Sequence, residues 1–591
     1  MSTVFNVDEF NTCLQTAEIG RTIVYKDVTG STMDDARRLA HSVSEYPHGT
    51  VIMSERQTKA RGARDHTWDA SNTGNIYVSL ILHQPASSAT FEGRFGLEVA
   101  ACLAVLDTVQ QLGVTTAKAK WPNDVWVRGH KLAGFLAEDG KFEIPGSNKC
   151  LMILGIGLNV NADTRRSAEL CSIATSLRCE RGGLPVPRES FFANVCLALE
   201  QKLSTTSQVN LEAFRAQNLF QPASSVSVTC SSDGKSTDAE FVDICSNWEV
   251  KFKEKNSEQV TQGRSDKFTV RPRVSRTLMV VFTGSLEKTV AQPLARWLTS
   301  LVDTTQYVVS LVPESSVTRS VDWCKNCSLL LLTSLPSQPD VLRDNVQIFL
   351  SSGGRVMAAG TASQFMAEVL GVPVRKALLA SSHIHPELGL LHLHTTRTSA
   401  TSTRLATTTT GEPHRLDNDQ VCAPGAPSLH PNPLHSLLFP TNPVCFQFLE
   451  MGQCQLSSAS SDPSNDSKEN CDNKNGAPSA VVVQEADMPK ECRDPGGDHV
   501  SETASASSTV SEVIAHCVDE GLSKVAVLMC DSGQGGRVLL CGFDLGVLYS
   551  TRGLEDLFTA KGVTADEVRA VSTDNFHRDN LLLYMLDKIL G

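Results

Sequence analysis

Apolar positions along this chain follow two rhythms. In residues 20–200, the β-branched runs TIVYKDV, TVIMSER, NIYVSLIL and CLMILGIGLNV predict strands, and FGLEVAACLAVLDTVQQLG, apolar at helical spacing and closed by Gly113, predicts a helix. Strand and helix signals alternate closely enough for a mixed α/β domain with a substantial core. Between 224 and 273 the pattern changes to SVSVTC, AEFVDIC, EVKFKE and DKFTVRP. These short strands divided by polar turns predict a small β-barrel or β-sandwich capping the first domain. A second α/β pattern starts at TLMVVFTG, runs through YVVSLVP, SLLLLTSL and GRVMAAG, and resumes in KVAVLMC, RVLLCGFDLG and the helix NLLLYMLDKILG.

The interruption, 395–510, contains SSASSDPSNDSKENCDNKNGAPSA and SETASASSTVSE, too poor in sustained apolar periodicity to offset its ordering entropy. It is expected to be a largely disordered insertion with an ordered island around LHSLLFPTNPVCFQFLE. The expected divisions are therefore 1–220, 221–274, and 275–394 continued by 511–591, with 395–510 inserted. A chain of 591 residues is too long for one ordinary core, so several domains are expected.

Composition narrows the function classes. The net charge of −12 gives no general reason to bind nucleic acid or an anionic membrane, so any anion site must be built locally. Apolar runs are too short for a membrane span. The opening MSTVFNVDEFNTCLQTAEIG lacks the pattern of a secretory signal or an Arg-rich transit segment, and a cytoplasmic location is expected. Eighteen scattered cysteines read as reduced, mostly buried thiols.

Four segments carry candidate chemistry. Ser31 and Thr32 follow a predicted strand, where their hydroxyls either cap a helix or bind a polar ligand. SERQTKARGARDHTW is a basic loop suited to phosphate or carboxylate oxygens, or a solvated surface. In KWPNDVWVRGHKLAG, Lys120 and Lys131 are expected on two strands of a hairpin joined through VRGH, facing one pocket. Gly155-Ile156-Gly157-Leu158-Asn159 ends a strand with glycines that admit close ligand approach and an Asn able to bond a heterocycle.

In this order and spacing, ST, ERQT with RG and W, SNTGNIYVSLIL, KWPNDVWV with KLAG, GIGLNV and ATSL resemble the catalytic domain of biotin protein ligases, or holocarboxylase synthetases, over about 20–215. The resemblance implies a class II synthetase-like α+β domain with a small SH3-like β-barrel cap at 224–273. It implies a two-step reaction with ATP and biotin as substrates and Mg²⁺ as the metal, in which biotinyl-5′-adenylate forms and biotin passes to a lysine of a biotin carboxyl carrier domain of biotin-dependent carboxylases. By motif position, Ser31, Thr32 and Gln57 bind the biotin ureido group. Arg61 and Gly62 belong to the loop that closes over the ligand, and Lys131, beside Gly134, neutralises the carboxylate and α-phosphate. Asn123 and Asp124 organise the adenylate end and Mg²⁺, Trp68 stacks on adenine, and Asn159, Gly155, Gly157, Arg64 and Lys120 complete the nucleotide side; Lys120 paired with Asp124 is the alternative to a phosphate role. A homodimer is compatible with the family.

The loop Ala60-Arg61-Gly62-Ala63-Arg64-Asp65 departs from the family pattern, with Ala63 at the second basic position unless Arg64 substitutes. A leaky adenylate is one consequence. The second α/β pattern resembles the Rossmann-like or flavodoxin-like glutamine-amidotransferase-like domain attached to eukaryotic biotin ligases, here following the ligase domain rather than preceding it. Its expected nucleophile turn reads Ala359-Gly360-Thr361, without cysteine, so a regulatory or interaction scaffold is expected rather than a glutaminase. Cys324 and Cys327 are expected to be structural thiols, and His383, His385, His392 and His394 loop histidines, against metal-site alternatives. The rival functions are a non-catalytic biotin or biotinyl-adenylate sensor and a lipoyl or octanoyl transferase. No basic helix-turn-helix precedes the domain, so DNA binding is not expected.

Overall fold

The computed structural model describes residues 4–371 except 43–44, 63–66, 145, 168, 256, 258, 285–290 and 360, and then 388–395, 444–448, 509–519, 522–532, 535–541, 543–544 and 575–591. Three sheets organise them. The first has seven strands in the order β1-β2-β3-β7-β6-β5-β4: β1 (Ile23–Thr29), β2 (Thr50–Gln57), β3 (Ile76–Pro85), β4 (Ala117–Lys120), β5 (Asp124–Val127), β6 (His130–Glu143) and β7 (Lys149–Leu158). Only β1 and β2 pair in parallel. The accompanying helices are α1 (Val7–Cys13), α2 (Thr32–Leu39), α3 (Phe91–Gln111), α4 (Leu177–Glu180), α5 (Arg188–Leu203) and α6 (Ser207–Gln217).

Both faces of this sheet are covered, which explains the nearly continuous apolar run of β7. Met152, Leu154, Ile156 and Leu158 face the main core shared with α3 and α5, while Leu151 and Ile153 alternate onto the other face with Met33, Ala36 and Ala40 of the α2 region. Helix α3 starts ahead of the FGLEVA run because Thr90 caps it, its Oγ1 accepting from Gly93 N at 3.1 Å.

The second sheet is antiparallel, in the order β11-β10-β9-β8-β12, from β8 (Ser225–Cys230), β9 (Ser236–Ile244), β10 (Val250–Glu254), β11 (Val260–Gly263) and β12 (Phe268–Pro272). Four of its strands match the sequence reading; β11, with one apolar residue in VTQG, gives no periodic signal. Its core is continuous with the first, Trp248 lying 5.3 Å from Phe95 and its carbonyl accepting from Trp121 Nε1 at 3.0 Å.

The third sheet contains β13 (Arg276–Phe282), β14 (Tyr307–Pro313), β15 (Cys327–Leu332), β16 (Arg355–Ala359), β17 (Leu388–Thr395), β18 (Val444–Phe448), β19 (Thr509–Asp519), β20 (Leu522–Asp531), β21 (Arg537–Cys541) and β22 (Phe543–Asp544). Its order is β14-β13-β15-β16-β21-β20-β19-β17-β18-β22, parallel from β14 to β21 and antiparallel beyond. Helices α7 (Gln292–Leu301) and α11 (Asn575–Leu590) pack on one face; α8 (Glu314–Thr318), α9 (Pro339–Ser351) and α10 (Thr361–Leu370) pack on the other. The parallel pairing of β16 with β21 joins sequence on the two sides of the interruption. Within that interruption β18 falls in LHSLLFPTNPVCFQFLE and pairs with β17 and β22, while 396–443 and 449–508 lie outside the described residues.

Candidate active site

Three strands, rather than one hairpin, arrange the two lysines. Lys120 of β4 pairs with Asp124 of β5, and Trp126 of β5 pairs with Lys131 of β6. The sequence expectation of a single hairpin is corrected because the chain already reverses at residues 121–123, between the antiparallel β4 and β5, before VRGH reverses it again. Asp124 stands between the lysines: Oδ1 is 2.6 Å from Lys131 Nζ and Oδ2 is 4.0 Å from Lys120 Nζ. Lys120 is buried, donates to Trp121 O at 3.4 Å and lies 4.7 Å from the Trp126 ring centroid. Lys131, one third exposed, opens onto a cleft of about 560 Å³ including its mouth.

At the other end of this cleft, Thr32 N and Oγ1 donate to Gln57 Oε1 at 2.7 and 3.2 Å, and Ser79 Oγ donates to Thr32 Oγ1 at 2.9 Å. Ser31 occupies the N-cap position of α2 with extended backbone, yet its side chain makes no capping bond. Its buried Oγ has no hydrogen-bond partner and lines the cleft. The capping alternative is therefore ruled out, and this hydroxyl has its bonding capacity in hand for a ligand.

Trp68 forms a wall, with its Nε1 likewise buried and unpartnered. A Cβ on Gly157 would come within 2.6 Å of Trp68, one on Gly134 within 2.9 Å of the Lys131 side chain, and one on Gly155 within 2.7 Å of Met33 Sδ. Gly155 and Gly157 both line the cleft, and their missing side chains leave room for Met33 and Trp68 to form its wall. Asn159 and Lys120 do not line the cleft. Asn159 instead ties β6 to α4, its N donating to Leu132 O at 3.0 Å and its O accepting from Leu177 N at 3.1 Å. Asn123 does line the cleft, but its Nδ2 donates to Phe135 O and its O accepts from Phe135 N at 3.1 Å, fixing the WPND turn to β6. Arg64, with Ala63 and Asp65, lies outside the described residues.

Three carboxylates were missed by the sequence reading. Arg61, beside Gly62 on the cleft wall, is 2.8 Å from Asp34 and 3.6 Å from Glu138, and Arg37 bonds both acids as well. The period of two along β6 was the available signal, since Gly134, Leu136 and Glu138 alternate onto one face. Beneath the site, Glu98 of α3 accepts from Ala137 N at 2.9 Å, and burial, with Asp124 adding repulsion, pushes its carboxyl up to about 8.

Residues 25–159 match the model of the biotin/lipoate A/B protein ligase family. That stretch is similar to this family of biotin and lipoate ligases. Over 190 residues the ligase-family region is 29% identical to the bifunctional ligase/repressor BirA of Bacillus subtilis, covering 32% of this chain and 56% of that protein. It is 37% identical over 155 residues to the biotin–[acetyl-CoA-carboxylase] ligase of Mycobacterium tuberculosis, covering 25% and 52%, and 30% identical over 159 residues to biotin–protein ligase 2 of Arabidopsis thaliana, covering 27% and 46%. The chain spans about half the length of the curated relatives it matches. Among solved structures, the biotin protein ligase from Aquifex aeolicus in complex with biotin and ATP aligns at 22% identity and a TM-score of 0.35, covering 42% of this chain and 99% of that one.

Outside the ligase-family domain, Cys324 and Cys327 are half-buried, and burial pushes the Cys327 thiol up to about 12, which suits a structural thiol. His392 and His394 are in β17, and His383 and His385 lie outside the described residues. Among the described residues no group of three or more His, Cys, Asp or Glu could hold a metal. Strand β16 ends at Ala359 and α10 begins at Thr361, a strand-to-helix turn with no cysteine in its sequence.

Proposed function

We propose that the chain is an ATP-dependent biotin–protein ligase. The observation that carries this reading is one cleft with two chemically distinct ends: the unpartnered Ser31 hydroxyl with Thr32 and Gln57 at one, and Lys131 with Asp124 at the other. A ureido group offers N–H donors and a carbonyl acceptor that suit the first end. A carboxylate reaching the second end meets a fixed cation.

In the first step a biotin carboxylate oxygen attacks the α-phosphorus of ATP, and the bond to pyrophosphate breaks. In the second, a carrier-domain lysine, as the free amine, attacks the acyl carbon. The acyl–phosphate C–O bond breaks, AMP departs and the amine proton passes to solvent. Lys131 offsets negative charge at the carboxylate and α-phosphate, and Arg61 does so from the rim. Trp68 closes one wall against water. Mg²⁺ suits one carboxylate plus substrate phosphates, and Asp124 is the carboxylate available to it. The partners on this reading are biotin carboxyl carrier domains, and the site of action the cytoplasm.

The five-stranded sheet serves as the small SH3-like cap. The third sheet, with its β14-β13-β15-β16-β21 order, acts as an amidotransferase-like domain without the nucleophile. Incubation of the purified full chain with biotin, Mg-ATP and an apo carrier domain, read by avidin blot, tests the reading. Labelling of one carrier lysine is expected. Biotin binding without labelling would favour the sensor, and indifference to biotin the lipoyl enzyme.

A further inference from the structure

The third-sheet unit touches the ligase-family domain at the hairpin that presents Lys131. The turn between β5 and β6 is made by Arg128 and Gly129, both at positive φ (49° and 80°). A Cβ on Gly129 would lie 2.1 Å from Thr304 Oγ1, so the turn is pressed against the segment following α7. Thr304 N donates to Arg128 O at 3.0 Å, Arg128 Nη1 donates to Leu301 O at 2.6 Å, and the His130 ring reaches Thr299 O at 2.9 Å. Thr299 and Leu301 are in the last turn of α7, where carbonyls lack helical partners and cations are favoured.

The same arginine leads back to Lys131. Arg128 Nε and Nη2 each donate to Glu180 at 3.1 Å, and Thr175 Oγ1 donates to Glu180 at 2.6 Å. Thr175 N donates to Lys131 O at 3.0 Å, and Lys131 N donates to Ile173 O at 2.9 Å, so this segment holds the Lys131 backbone on both sides. Arg165 is 3.9 Å from Glu180 and 2.9 Å from Asp579 of α11, whose other oxygen accepts from Trp297 Nε1 at 2.6 Å. Arg165, Glu180 and Asp579 are almost wholly buried. The ligase side contributes Arg128, Arg165 and Glu180 to this network. Asp579 is the anion that balances the second cation, and it comes from the other unit.

We propose that the third-sheet unit acts as a positioning element for the ligase reaction, holding the Lys131 strand through Asp579, Arg165, Glu180 and Arg128. The inference rests on the proposed ligase function for its kinetic consequence. Ser31, Thr32 and Gln57 are on α2 and β2, away from this network, so recognition of the biotin head is independent of it. Misplacing a charge that acts on the transition state costs rate more than affinity.

The test uses the full chain and two variants, Asp579→Asn and Thr304→Arg, both in the third-sheet unit, the second wedging the interface against the Arg128-Gly129 turn. Pyrophosphate release from biotin and Mg-ATP gives kcat and KM, and amide hydrogen exchange by mass spectrometry reads residues 124–135. Expected are a fall in kcat of about tenfold or more, a biotin KM within about twofold, and faster exchange in the hairpin. Should Asp579→Asn fail to fold, Thr304→Arg alone decides. Unchanged kcat in a folded variant whose hairpin exchanges faster, or unchanged exchange, overturns the proposal. A wild-type chain that releases no pyrophosphate would refute the ligase reading, and the exchange measurement alone would then decide whether the units are coupled.

Discussion

Lys131 Nζ lies 2.6 Å from Asp124 Oδ1, and this ion pair sets the resting charge of the cleft. A carboxylate or phosphate entering the site competes with Asp124 for the ammonium, and can do so because Lys131 is one third exposed rather than sealed in. Lys131→Ala removes the cation opposite the developing negative charge. By the magnitude of losing one oxyanion donor, a loss of about 3 kcal/mol, roughly a hundredfold in kcat, is expected. Steady-state pyrophosphate release checks it, and retention of the wild-type rate would remove Lys131 from the chemistry.

Ser31 supports an asymmetric prediction. Its Oγ is buried and makes no hydrogen bond, so Ser31→Ala deletes a desolvated polar atom that stabilises nothing in the ligand-free protein. Melting temperature should stay the same or rise slightly. Biotin affinity should fall by about tenfold, the worth of one hydrogen bond of about 1 to 1.5 kcal/mol. Calorimetric titration with biotin and a thermal melt on the same sample give both quantities. A clear drop in melting temperature would mean the hydroxyl has a structural partner.

Much of this arrangement was legible because it is local. KWPND and KLAG belong to adjacent strands, so one motif delivers Asp124 and Lys131 together, and the apolar runs of β1, β2, β3 and β7 name their own strands. Three features carried no local signal. Whether Ser31 caps α2 or faces the cleft depends on a rotamer. Whether Gly155 and Gly157 leave space depends on Met33 and Trp68, which arrive from distant sequence. The contacts of Arg128 with Leu301 and of Arg165 with Asp579 span 173 and 414 residues, and no periodicity encodes them.

Gly157 supplies the next expectation. An added methyl would approach Trp68 to 2.6 Å, against backbone fixed in the sheet between β3 and β6, so the indole must move. Gly157→Ala should cost about 1 to 3 kcal/mol of stability, as overpacking does, and weaken biotin binding by displacing the cleft wall. Gly157→Ala in a Trp68→Ala background, where the clash is gone, should cost much less than in the wild type. Equal costs in both backgrounds would show that Trp68 is not the constraint.

Glu98 gives a pH dependence with a definite sign. Burial raises its carboxyl from the ordinary 4.5 to about 8, so between these values the folded protein retains a proton that the unfolded chain has lost. The folded state then binds more protons, and stability from this group is complete below about pH 4.5 and declines until pH passes about 8. The full decline is on the order of 5 kcal/mol. Glu98→Gln preserves an acceptor for Ala137 N and cannot ionise. Denaturant unfolding from pH 5 to 9 should therefore show a smaller loss of stability on the alkaline side for this variant, with the two proteins diverging most near pH 9. Parallel curves for the two would mean that Glu98 is already ionised in the folded protein at neutral pH.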